Sequence, residues 1–133
     1  MKTLIEQLKE DEGFSAIPYK CTAGHLTIGY GANLDAGITK EEAEGMLQVR
    51  VDIINRDLEN AFPDWYNDLD RNRQDVVINM VYNLGLQGFR KFKKMIHCLE
   101  IKNYTGATME MLQSKWAKQV GKRADRLAKI MKP

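Results

Sequence analysis

The stretch from Phe14 to Leu34 constrains the fold most. Its Tyr, Thr and Ile residues are punctuated by Gly24, Gly29 and Gly31, the texture of short strands joined by tight turns. On either side the apolar residues recur with a helical period. Leu4, Ile5 and Leu8 predict a helix from Lys2 to about Asp11, with Gly13 where a C-terminus is expected. Downstream, Thr39 followed by Glu42 reads as a capping box. Ala43, Met46, Leu47, Val51, Ile54 and Leu58 then line one face of a long helix over about 40–60.

Past the Phe62-Pro63-Asp64 break, residues 71–84 are apolar on nearly every side, the pattern of a helix buried in the middle of a lobe. Short helices are expected near 90–99, 108–118 and 122–131, with breaks around Asn103-Tyr104-Thr105-Gly106 and at Gly121. The expected fold is therefore α+β: a small lobe with a short antiparallel sheet, a long helix, and a mainly helical lobe. At 133 residues the chain holds one domain, 1–133, with 1–60 as the N-terminal lobe and connecting helix and 61–133 as the helical lobe.

Apolar residues at 44% and charged residues at 29% exclude a disordered or collagenous chain. No segment approaches the ~20 apolar residues that cross a bilayer, so no membrane insertion is expected. The N-terminus shows no apolar run of signal-peptide length. A net charge of +2 is too small to imply a nucleic-acid partner, but its distribution is uneven. Residues 1–89 carry −7 and residues 90–133 carry +9, a cationic surface suited to an anionic polymer or to lipid headgroups. Cys21 and Cys98 are too few for a disulfide framework and are read as free thiols. His25 and His97 lack the neighbouring ligands of a metal site, and no cofactor is implied.

Candidate chemistry concentrates where the first helix meets the sheet. Glu12 ends that helix, Cys21 lies nine residues later, and Thr27 six beyond that. A carboxyl shielded from water stays protonated near neutral pH and can donate a proton to a leaving oxygen. A different enzyme class would use Cys21 as nucleophile with His25 as base. Four residues apart suits that pair only on a helix, whereas this stretch reads as hairpin, and Glu12 and Thr27 would be left unused.

Asp11-Glu12-Gly13, Tyr19-Lys20-Cys21-Thr22 and Leu26-Thr27-Ile28-Gly29-Tyr30-Gly31 together resemble the catalytic segment of the phage-type lysozymes, glycoside hydrolase family 24. The family pattern is Glu, eight residues, Asp or Cys, five residues, Thr, then Ile-Gly-x-Gly, and the chain fits it without a gap. The resemblance continues through Ile38–Glu44, Ile78–Gly85, Trp116 and Arg123-Ala124-Asp125-Arg126. It implies an enzyme that cleaves the β-1,4 bond between N-acetylmuramic acid and N-acetylglucosamine in peptidoglycan. Glu12 would be the general acid, with Cys21 and Thr27 holding a water on the far face of the sugar, an arrangement that inverts the anomeric carbon.

Cys21 stands where the T-even phage member has Asp. Either its thiol has a depressed pKa, helped by Lys20, or it only positions the water, or its thiolate attacks the sugar. The resemblance also pairs Arg123 with Glu12 and Arg126 with Asp11, and places Asn33, Tyr82, Asn83, Phe92 and Glu110 near sugar-binding positions. Trp116 is expected in the core behind the cleft. Relative to that member, the segment between Leu34 and Ile38 is shorter and the chain stops at Pro133 without a last helical turn.

The expected protein is a monomeric endolysin, made in a host cytoplasm without a signal and passed to the wall through a holin partner. The competing expectation is a cationic wall- or membrane-binding protein that acts without catalysis and whose binding weakens steeply with salt.

Overall fold

Thr3 opens the first helix with a reciprocal cap: its hydroxyl accepts from the Glu6 backbone N–H at 3.1 Å while the Glu6 carboxylate accepts from the Thr3 N–H at 3.0 Å. The computed structural model describes residues 1–133. Helix α1 spans Leu4–Glu12, and β1 (Ser15–Lys20), β2 (Leu26–Gly29) and β3 (Ala32–Asn33) follow it. The three strands form an antiparallel sheet in the order β1-β2-β3, with Tyr19 opposite Thr27 and Thr27 opposite Asn33. A 3-10 turn at Leu34–Ala36 leads to α2 (Lys40–Ala61), whose entrance is the reciprocal Thr39–Glu42 cap that the sequence predicts.

After a second 3-10 turn at Tyr66–Asp68 come α3 (Arg71–Arg90), α4 (Lys93–Glu100), α5 (Tyr104–Gln113), α6 (Lys115–Val120) and α7 (Lys122–Met131). The architecture is the expected α+β arrangement, a short antiparallel sheet joined by helices to a mainly helical lobe. The chain divides into two compact units, Met1–Met46 and Leu47–Pro133, and the division falls within α2. No helix is long and apolar enough to cross a membrane.

The hydrophobic core lies in the second unit. Val76, Val77, Met80 and Val81 of α3 are buried there with Leu58 of α2, Met95 and Leu99 of α4, Ala107 and Met111 of α5, and Leu127, Ala128 and Met131 of α7. Tyr66 is fully buried and its hydroxyl donates to Asn55 Oδ1 at 2.6 Å. Burial pushes its phenol up to about 12, with the Glu59 carboxylate adding to the effect. Arg73 closes the chain end: its Nε donates to the Met131 carbonyl at 2.7 Å and its Nη2 to that of Lys132 at 3.0 Å. These are terminal carbonyls of α7 that no helical N–H reaches.

Several expected boundaries move. Asn103 is the N-cap of α5, its Oδ1 accepting from the Gly106 N–H at 2.9 Å, so the helix expected at 108–118 begins at Tyr104. Asn is favoured at loops and N-caps alike, for the same reason that its side chain satisfies local backbone groups. That helix then ends at Ser114, whose hydroxyl caps α6 through the Ala117 N–H. Helix α3 runs on to Arg90 through a non-helical Gly85 at φ 75°, a conformation open to glycine at little cost. On α2, Leu58 is buried and Val51 and Ile54 are partly buried, but Met46 and Leu47 of the expected apolar face are exposed.

Candidate functional site

In the first unit, Glu12 is the last residue of α1, and Gly13 turns the chain toward β1. The Glu12 carboxylate extends to Gly31, in the turn between β2 and β3. A methyl carbon at position 31 would stand 2.6 Å from Glu12 Oε2 and 2.9 Å from its Cδ. Thr27 is on the central strand, 4% exposed, and is the buried polar residue of the chain. Its hydroxyl donates to the His25 carbonyl at 2.9 Å.

Cys21 opens the β1–β2 connection, and its N–H donates to the His25 carbonyl at 2.9 Å while its carbonyl accepts from Gly24. The His25 and Ala23 N–H groups hold the thiol below its ordinary value against the opposing desolvation, with lesser help from the Thr27 hydroxyl and the Gly24 N–H. Glu12 reaches the turn that directly follows the Thr27 strand. Glu12 itself is exposed, so the fold of this unit does not supply the shielding expected of a general acid.

Asn33 pairs with Thr27 across the sheet, and its Oδ1 accepts from the Asp35 N–H at 3.0 Å, closing the 3-10 turn. The Asp35 carboxylate accepts in turn from the Leu26 N–H at 2.9 Å and lies 3.7 Å from His25 Nδ1. The His25 ring thus lies near Asp35, and its backbone carbonyl serves the Cys21 loop.

In the second unit the expected substrate residues separate into two cavities. Phe92 and Glu110 line one of about 820 Å³, floored by Trp116, Leu84 and Met95. Tyr82 lines another of about 420 Å³ with Arg50, Asp57, Ile53 and Leu86. Asn83 holds the core: its Oδ1 accepts from Trp116 Nε1 at 3.0 Å, satisfying the polar edge of a ring that is 3% exposed, and Trp116 is buried as expected. Arg123 is held by Asn79, donating from Nε to Asn79 Oδ1 at 2.9 Å and from Nη2 to the Asn79 carbonyl at 3.2 Å. Arg126 and Asp11 are exposed.

Sequence reasoning missed the collar of the larger cavity, where Lys91, Lys93, Lys94 and Lys115 face a single acidic residue, Glu110. The signal was present as Lys91-Phe92-Lys93-Lys94, a cationic run with an aromatic residue inside it. It also missed Gly31, whose closeness to Glu12 is a tertiary contact.

The family profile described as Phage lysozyme matches residues 9–130. An endolysin of Acyrthosiphon pisum secondary endosymbiont phage 1 is 32% identical over 87% of this chain and 80% of its own. Two Dictyostelium discoideum proteins, "Probable T4-type lysozyme 2" and "Probable T4-type lysozyme 1", are 27% and 25% identical, each over 98% of this chain and 94% of its own. With a match that spans nearly its whole length, the chain belongs to the phage lysozyme family, glycoside hydrolase family 24.

Proposed function

We propose that the chain is an endolysin muramidase, hydrolysing the β-1,4 bond between N-acetylmuramic acid and N-acetylglucosamine in bacterial peptidoglycan. The observation that carries this reading is the family match over residues 9–130, with Glu12, Cys21 and Thr27 borne by α1, the β1–β2 connection and β2 of the first unit. The Glu12 carboxylate lies against Gly31, and Thr27 is buried on the central strand. In the proposed reaction Glu12 gives its proton to the leaving glycosidic oxygen as the bond from that oxygen to the anomeric carbon breaks. A water polarised by Thr27 and Cys21 attacks the anomeric carbon from the opposite face, its surplus proton passes to solvent, and the configuration inverts.

Asp11, Arg126 and Arg123, the last held by Asn79, are assigned as supporting charged residues. Asn33, Tyr82, Asn83, Phe92 and Glu110 are assigned to saccharide binding. The lysine collar around Phe92 suits the carboxylates that peptidoglycan stem peptides carry. The protein acts as a monomer, made in the host cytoplasm and released to the wall through a holin.

Product analysis tests the reaction. Digestion of purified peptidoglycan is expected to release muropeptides with reducing ends, and proton NMR of fresh product should show the α-anomer first. Anhydro-ended fragments would make the enzyme a lytic transglycosylase instead. The cationic-binder reading draws on the same lysine collar, and predicts clearing of cells that salt suppresses and that needs no carboxyl at position 12.

Cys21 has a testable pH signature. Its thiol is held below its ordinary value, so the folded state loses the proton more readily than the unfolded chain. That contribution to stability is fully present above the unfolded value and is lost as pH falls through the folded one. If the thiolate polarises the water, wild-type turnover rises along the same limb. Cys21→Asp, with a carboxyl near pKa 3.9, should stay active and move that limb into the acid range. A folded but inactive Cys21→Asp enzyme in a pH–rate series would point to chemistry specific to sulfur.

A further inference from the structure

We infer that Gly31 is a positioning residue for the Glu12 carboxylate, an assignment that rests on reading Glu12 as the general acid. Two observations carry it. Gly31 has φ +77°, and a methyl carbon there would lie 2.6 Å from Glu12 Oε2, 2.9 Å from Cδ and 3.2 Å from Cγ. Contacts this short are not tolerated, so something must move. What moves is the free end of a flexible side chain, at the tip of a helix, rather than backbone. The cost of a side chain at 31 therefore falls on where the carboxylate stands, not on whether the sheet folds.

The sheet contains its own control. Gly29, two residues earlier, also has a left-handed φ of +67°, yet a methyl carbon there meets nothing within 4 Å. Gly29→Ala and Gly31→Ala thus share the backbone strain of a positive φ, while only Gly31→Ala pushes on Glu12. The bare Cα at 31 leaves the slot in which the carboxylate rests. The β2–β3 turn in this way links the position of the acid to the strand that carries Thr27.

The experiment compares the two variants by melting temperature, by kcat and KM on solubilised peptidoglycan strands, and by carbon-13 NMR titration of the Glu12 carboxyl. Both should melt lower by comparable amounts. Displacing a reacting group by about 1 Å costs on the order of 10²-fold, so kcat of Gly31→Ala should fall about 10²-fold below that of Gly29→Ala, with KM little changed. The Glu12 titration should shift in Gly31→Ala alone. Equal kcat in the two variants, or a Glu12 titration that is the same in both, would overturn the assignment. Should Glu12→Gln retain turnover, the general-acid reading fails, and the titration by itself then decides whether Gly31 sets the carboxylate.

Discussion

Glu12→Gln is expected to lower peptidoglycan turnover by ~10²–10⁴-fold, the range that general acid catalysis contributes, while the protein melts as the wild type does. The amide keeps the shape of the carboxyl and removes the proton to be donated. Glu12 is exposed at the end of α1, and the neighbour that crowds its side chain is Gly31, which an amide of the same size still clears. Substitutions at such sites usually change stability by less than about 0.5 kcal/mol. The measurement is the rate of reducing-end release by the two proteins at matched concentration, beside their melting curves and their binding to intact wall. Binding should persist, since the lysine collar is untouched. A variant that still releases reducing ends at the wild-type rate would remove Glu12 from the mechanism. Equal clearing of cells by both proteins, lost in high salt, would favour the cationic-binder reading.

What the sequence discloses here is local. The Thr39–Glu42 cap, the glycine-punctuated strands and the apolar run of α3 each depend on residues within a few positions of one another, and each is found where the pattern places it. The reciprocal Thr3–Glu6 cap moves the first helix from the expected Lys2 start to Leu4–Glu12. Side chains that serve two purposes mislead. Asn103 reads as a loop residue and is instead the N-cap of α5.

The apolar spacing of Leu4, Ile5 and Leu8 fixes a helix but not its burial, and all three are exposed. Of the proposed site, the Glu-Cys-Thr spacing is legible because a helix end followed directly by a hairpin keeps the three residues within one local unit. The pairing of Gly31 with Glu12, and of Phe92 with Glu110 at one cavity, depends on how elements return upon each other, and period and composition say nothing of that.

Phe89→Ala is expected to cost ~3–5 kcal/mol, the usual loss for removing a large aromatic side chain from a packed core. Phe89 is fully buried near the end of α3. Its ring meets Phe62 edge-on at 5.9 Å and lies nearly parallel to Phe92 at 6.3 Å, while Phe62 packs on Trp65 at 4.9 Å and Phe92 meets Trp116 edge-on at 6.3 Å. Phe89 is thus the middle member of an aromatic row that runs from the core to the wall of the lysine-collared cavity. Against a total stability of ~5–15 kcal/mol, its loss would remove a large fraction of the native margin, and urea unfolding of the two proteins should show a correspondingly lower midpoint with a similar slope. The row also ties packing to function. With the middle ring gone, Phe92 loses the surface that holds it, so the folded fraction of Phe89→Ala should bind wall fragments more weakly although no cavity residue has changed. A loss below about 1 kcal/mol would mean that the row closes over the gap, and unchanged binding would mean that Phe92 is held from the Trp116 side alone.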